Sequence, residues 1–113
     1  MSRPLPKAAG SPAPVFAALG DETRLRLVTR LSQGEPLSIA RLAADEPLSR
    51  QAVSKHLRVL AGAGVVRGRR HGREHRWELQ PQPILDARRL LERIATQWDD
   101  ALARLKSAVE QGE

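Results

Sequence analysis

Ser49–Ala63, SRQAVSKHLRVLAGA, runs through Gly64 into Val65–Leu79, VVRGRRHGREHRWEL, and the reading of this stretch decides the fold. Ser49 suits the N-cap of a helix in which Val53, Leu57 and Leu60 recur at helical spacing and share one side. Arg50, Gln51, Ser54, Lys55 and Arg58 then fall on the sides facing away, and Gly64 stops the helix. Beyond it, Val65–Arg70 and Glu74–Leu79 read as two strands around His71, Gly72 and Arg73, with the glycine permitting a tight turn. His75, Trp77 and Leu79 alternate with Arg76 and Glu78, so one side covers a core, with Trp77 as its lid, and the other meets solvent. A strand pair in this place is a wing.

Working upstream, a helix ends just before Pro47, because the residue preceding a proline avoids the helical region. Ser38 caps it and Ile39, Leu42 and Ala43 point inward. A short helix, a turn of about four residues and a second helix of this kind make a helix-turn-helix. Before Gly34 and Pro36, Asp21 caps a helix reaching about Ser32, with Leu25, Val28 and Leu31, and Leu27 beside them, facing the core. A first short helix spans about Ala13 to Leu19, with Val15, Phe16 and Leu19 apolar. Residues 1–12, with Pro4, Pro6, Gly10 and Pro12 and no periodicity, read as a disordered arm.

Downstream, Pro81 and Pro83 suit a helix start, and a long fifth helix is expected from about Ile84 to Val109. Its stripe of Leu91, Ile94, Trp98, Leu102, Leu105 and Val109 is too long for so small a core, and a second copy of the chain is the economical cover. The expected architecture is therefore mainly α with a small β-hairpin wing, an α+β winged helix-turn-helix domain over residues 13–110, homodimeric through the last helix.

The charge follows the same division. Of a net charge of +6, residues 47–78 carry eight basic against two acidic side chains, while residues 1–46 sum to +1 and residues 79–113 to −1. A local excess of this kind is the footprint of a polyanion. A membrane surface is the poorer match, because the segment lacks the broad apolar face of an interfacial helix. With 113 residues there is room for one domain and none for a separate sensing module. The absence of cysteine excludes disulfides, thiolate metal sites and thiol catalysis. No spanning segment and no secretion signal are visible, which implies a soluble cytoplasmic protein.

Double-stranded DNA is the partner that the chemistry fits. Gln51 can pair bidentately with adenine, Arg50, Lys55 and Arg58 with guanine or phosphate, and Ser49 and Ser54 are small enough to let the backbone approach. No acidic residue occurs from Arg50 to Arg73. Arg67, Arg69, Arg70, Arg73 and Arg76 read as a clamp on sugar-phosphate, with Arg73 at the tip free to enter a narrow minor groove. His56 reads as a structural, hydrogen-bonded residue or a phosphate neighbour. His71 and His75 have no cysteine or paired carboxylate beside them, so no metal site and no cofactor is expected. There is no phosphate loop, nucleophile elbow or His-Glu metal motif, so the chain is not expected to be an enzyme.

Residues 13–110 resemble the ArsR/SmtB family of winged-helix repressors. The resemblance is carried by Leu19-Gly20-Asp21-Glu22-Thr23-Arg24, by Ser54-Lys55-His56-Leu57-Arg58-Val59-Leu60 with Gly62–Val66 behind it, and by Gly72-Arg73 running into Trp77-Glu78-Leu79. It implies a homodimer joined by its first and last helices, with Phe16, Leu91, Ile94, Trp98, Leu102 and Leu105 in the interface, binding an imperfect palindrome and obstructing polymerase. Metal-sensing relatives carry a Cys-x-Cys pair where this chain has Ser38 and Ala40, and others need histidines after His75, where there are none. The tail around Arg93, Gln97-Trp98-Asp99 and Leu102–Lys106 is similar to a cysteine-free branch often encoded beside START-like (SRPBCC) ligand-binding proteins. The effector, if any, is not named by these residues. Two further functions fit the same basic face: a non-specific nucleoid-type protein, and an interaction module for an acidic partner.

Overall fold

The computed structural model describes residues 11–112. Of the arm expected at residues 1–12, residues 1–10 lie outside the described residues. The chain runs α1 (Ala13–Leu19), α2 (Glu22–Leu31), β1 (Leu37–Ser38), α3 (Ile39–Ala44), α4 (Arg50–Gly62), β2 (Val66–His71), β3 (Glu74–Leu79) and α5 (Pro81–Gln111). The mainly α architecture with a small winged sheet is the expected one, but the sheet is three-stranded and antiparallel, in the order β1-β3-β2, rather than a hairpin alone.

Local chemistry explains where the helices begin. Asp21 accepts from the Arg24 amide at 3.0 Å, Ser38 from Arg41 at 3.2 Å and Ser49 from Ala52 at 3.1 Å, each satisfying an amide that the first helical turn leaves free. Ser38 is the most enclosed of these caps. Ser38→Ala is expected to cost about 1 kcal/mol in urea unfolding, and an unchanged midpoint would show the cap to be idle.

Helix α4 ends on a Schellman motif. Gly64 takes φ +80°, its amide bonds to the Ala61 carbonyl at 3.0 Å, and the Val65 amide bonds to the Leu60 carbonyl at 3.0 Å. Val65 and Leu60 are both fully buried, so the motif carries its usual apolar contact. The motif also removes Val65 from the expected strand, which starts one residue later. At the other end of that strand, His71 pairs with Glu74, leaving a two-residue turn of Gly72 and Arg73 rather than the expected three. Gly72 alone of the two has a positive φ, 64°, the pattern of a type II′ hairpin turn.

Leu27, Leu31, Leu42, Val53, Leu57 and Leu60 form the centre of the core, joined by Val65 and Val66. Trp77 and Leu79 of β3 pack against it from the sheet side as expected, but His75, nearer the hairpin tip, is exposed and does not cover the core, while Arg76 and Glu78 are half-buried. Leu25 is a correction: it is about half exposed, not inward. At 100° per residue it sits about 110° from the centre of the arc set by Leu27, Val28 and Leu31, outside the buried side.

The strand β1 was not expected. Leu37 pairs with Trp77 and Ser38 with Arg76, and two residues are too few to show a period. Helix α5 starts at Pro81 instead of Ile84 and ends at Gln111 instead of Val109. A proline in the first turn loses no hydrogen bond, so Pro81 and Pro83 sit inside the helix rather than before it. Its 31 residues make a rod of about 46 Å at 1.5 Å per residue. Only Ala87 of it is buried, while exposure along the stripe runs from 46% at Ile94 to 64% at Trp98.

Candidate nucleic-acid interface

The turn between α3 and α4 sets the aim of α4, and α2 holds that turn. Glu46 lies in it with its side chain 2% exposed, and its carboxylate accepts from Arg26 Nη2 at 2.8 Å and Nε at 3.2 Å. One turn further along α2, Arg30 donates to the Leu42 carbonyl at 2.9 Å and the Arg41 carbonyl at 3.1 Å, and pairs with Asp45 at 3.2 Å. The Arg30 guanidinium satisfies carbonyls that the end of α3 leaves free and the Arg26 guanidinium holds the Glu46 carboxylate, so the turn is fixed by charged hydrogen bonds as well as by packing.

A second tie reaches α4 itself. Arg24 Nη1 donates to His56 Nδ1 at 3.2 Å while Arg24 Nε donates to the Ala18 carbonyl at 2.6 Å. With Arg24 donating, Nδ1 is the acceptor, which puts the imidazole proton on Nε2. The Asp21 carboxylate stands 3.8 Å from the same Nδ1, and the Arg24 amide bonded to it holds its carboxyl below the usual carboxylate range. His56 is thus a hydrogen-bonded structural residue. It ties α4 to the junction of α1 and α2.

The outward side of α4 has no such ties. Arg50, Gln51 and Lys55 are exposed, and none makes a side-chain hydrogen bond or ion pair among the described residues. Arg58 leans back to donate to Ser54 Oγ at 3.1 Å, and the Ser49 hydroxyl is engaged as the cap. Three long polar side chains are therefore free to meet a ligand.

On the wing the five arginines divide. Facing residues on β2 and β3 share a side, so Arg67, Arg69, Glu74, Arg76 and Glu78 line the outer face and Arg70, His75 and Trp77 the other. Arg67 Nε and Arg69 Nη1 both donate to Glu78 Oε1, at 2.9 and 3.3 Å, and Arg76 Nε donates to Glu74 at 2.7 Å. The Arg67 guanidinium lowers the Glu78 carboxyl below its ordinary range, with Arg69 adding to the effect. Arg70 and Arg73 have no side-chain partner among the described residues. His75 stacks on Trp77, ring centres 5.2 Å apart.

Sequence reasoning passed over Glu46, Arg26, Arg30 and Glu78. Each pairs with residues well separated along the chain, and no local spacing announces such contacts. The acidic residues Asp45 and Glu46 at a helix end were the visible hint.

Comparison with known proteins settles what this arrangement is. Residues 19–69 match a family model described as a helix-turn-helix domain. Over 92 residues the chain is 41% identical to the HTH-type transcriptional regulator Rv2034 of Mycobacterium tuberculosis, covering 81% of this chain and 82% of that one. A solved ArsR-like transcriptional regulator from Rhodococcus sp. RHA1 superposes with a TM-score of 0.74 at 42% identity, covering 85% of this chain and 90% of the other. The chain belongs to the ArsR family.

As an ArsR-family winged helix-turn-helix regulator it binds DNA and acts in transcription, which is the role that the basic segment implied. The same fold, at 24% identity and a TM-score of 0.58, is found in the homodimeric DNA-binding domain Mb0332 of Mycobacterium bovis, covering 79% of this chain and 82% of that one. Among the described residues there is no group of three or more histidines, aspartates or glutamates placed to hold a metal ion. No described helix is long and apolar enough to cross a membrane.

Proposed function

We propose that the protein is a homodimeric, sequence-specific repressor that reads a palindromic operator in the cytoplasm. The observation that carries this reading is the free outward side of α4, where Arg50, Gln51 and Lys55 project with no acidic neighbour and no partner of their own among the described residues. An α-helix fits the major groove, and Gln and Arg are the side chains that pair bidentately with adenine and guanine there. The exposed stripe of α5 supports the dimer, since an apolar patch of that length on one helix marks an interface. The Mb0332 domain, itself a homodimer, gives the same fold in that state.

A twofold dimer sets the two α4 helices about 34 Å apart, one turn of the duplex, and so reads paired half-sites. Arg70 and Arg73, the unpaired wing cations, lie against the backbone beside each half-site, with Arg73 at the minor groove. Bound across a promoter, such a dimer excludes polymerase.

Selecting bound duplexes from a random pool and competing the winner against random duplex at fixed salt tests the reading. Gln51→Ala is expected to change preference at one base pair by about 1 to 3 kcal/mol. Arg73→Ala is expected to weaken all duplexes alike and to flatten the slope of log K on log salt by about 0.9 for each phosphate that Arg73 neutralises. Equal affinity for selected and random duplex would replace the specific reader with a nucleoid-type protein. Failure to bind any duplex at physiological salt would favour an acidic protein partner instead.

A further inference from the structure

Glu78 is placed where a phosphate-gripping surface would be expected to exclude a carboxylate. It sits directly across the hairpin from Arg67, and one oxygen, Oε1, takes both the Arg67 Nε and the Arg69 Nη1 protons. Its side chain is 22% exposed, whereas those of Arg67 and Arg69 are 55% and 54% exposed, so the acid lies beneath two accessible guanidiniums. On the same face Arg76 is engaged by Glu74 at 2.7 Å.

We propose that Glu78 is a specificity-determining residue, which restrains the wing's grip on the phosphate backbone so that the selectivity of α4 is not swamped. The inference rests on the wing lying against the duplex backbone, as proposed above, and adds that Arg67 and Arg69, on the face of the hairpin opposite Arg70, also come within reach of phosphate there.

Two arginines and one carboxylate within hydrogen-bonding distance present one net positive charge to a phosphate instead of two. Exposed ion pairs contribute only about 0 to 1 kcal/mol to stability, so fold stability does not explain why an acid is held here. Its effect on a polyanion is larger, because each unit of charge brought to the backbone enters the salt dependence of binding directly. Backbone attraction is blind to sequence and tightens operator and random duplex together. A carboxylate under the wing lowers that shared attraction and leaves the base-reading side chains of α4 untouched. Because the paired arginines keep the Glu78 carboxyl below its ordinary range, the restraint persists throughout the neutral range.

The test is binding of the full chain to a fluorescein-labelled random duplex and to its selected operator over a salt series. Glu78→Gln keeps the shape of the side chain and adds one unit of positive charge per protomer. It is expected to tighten random-duplex binding and to steepen the log K against log salt slope by about 0.9 per protomer. The ratio of operator to random affinity should fall. The triple variant E78Q/R67A/R69A should lose that gain. An unchanged or flatter slope for Glu78→Gln, or a triple variant that keeps the gain, would overturn the proposal.

Should Glu78→Gln melt below the assay temperature, Glu78→Ala serves in its place. It removes the same negative charge from beside Arg67 and Arg69, so its slope must move in the same direction, and an unmoved slope counts against the proposal. Arg73→Ala, measured beside it, reports separately on whether the wing meets the backbone. A slope that responds to Arg73→Ala and ignores Glu78→Gln condemns the restraint alone. One that ignores Arg73→Ala condemns the wing reading.

Discussion

Leu102→Asp should leave the protein monomeric and weaken operator binding by a factor of about 10² to 10⁴, the gain that joining two half-site readers provides. Leu102 sits mid-stripe on α5 and is 55% exposed in the protomer, with Trp98 one turn before it and Leu105 one turn after. A carboxylate there costs the single chain almost nothing, because none of these side chains joins its core. Across a twofold seam the same carboxylate is buried against apolar neighbours, and an ion without a partner in such a place is strongly unfavourable. Sedimentation equilibrium with binding on the same sample separates the two effects. The expected sample keeps its helical content, halves its mass and loses the operator. A variant that remains dimeric would show that α5 covers something else, and the interface would have to be sought elsewhere.

The second large effect concerns the seat of α4. Leu57 is fully buried, and Leu57→Ala is expected to lower the unfolding free energy by about 2 to 5 kcal/mol. Val59, two residues on, is 46% exposed, and Val59→Ala should stay within about 0.5 kcal/mol. Urea unfolding of the pair measures how firmly the helix is held by its inner side. Equal midpoints would contradict the packing described.

Much of this molecule was legible in its residues because its signals are local. Caps at Asp21, Ser38 and Ser49, the glycine stop at Gly64 and the 3.6-residue stripes on α4 and α5 all lie within a few positions of what they determine. Leu25 falls on the wrong side in a sequence reading because neighbouring leucines and valines can be grouped into more than one arc, and only the packed core chooses between them. The strand β1 escapes notice for a related reason: its pairing with Trp77 depends on a hairpin about 40 residues downstream. The candidate interface was legible as a set of residue types, but not in its internal division. That Arg67, Arg69 and Arg76 are engaged by acids while Arg70 and Arg73 are free among the described residues depends on strand register, and a count of arginines does not reveal it.

Helix α4 divides its labour cleanly between two sets of side chains. Val53, Leu57, Leu60 and the His56–Arg24 contact fasten it, and Arg50, Gln51 and Lys55 take no part in fastening. The letters the helix recognises can therefore be rewritten by exchanging residues that the scaffold does not need. A lineage, or an engineer, can retarget such a molecule to new promoters while its hardware stays as it is.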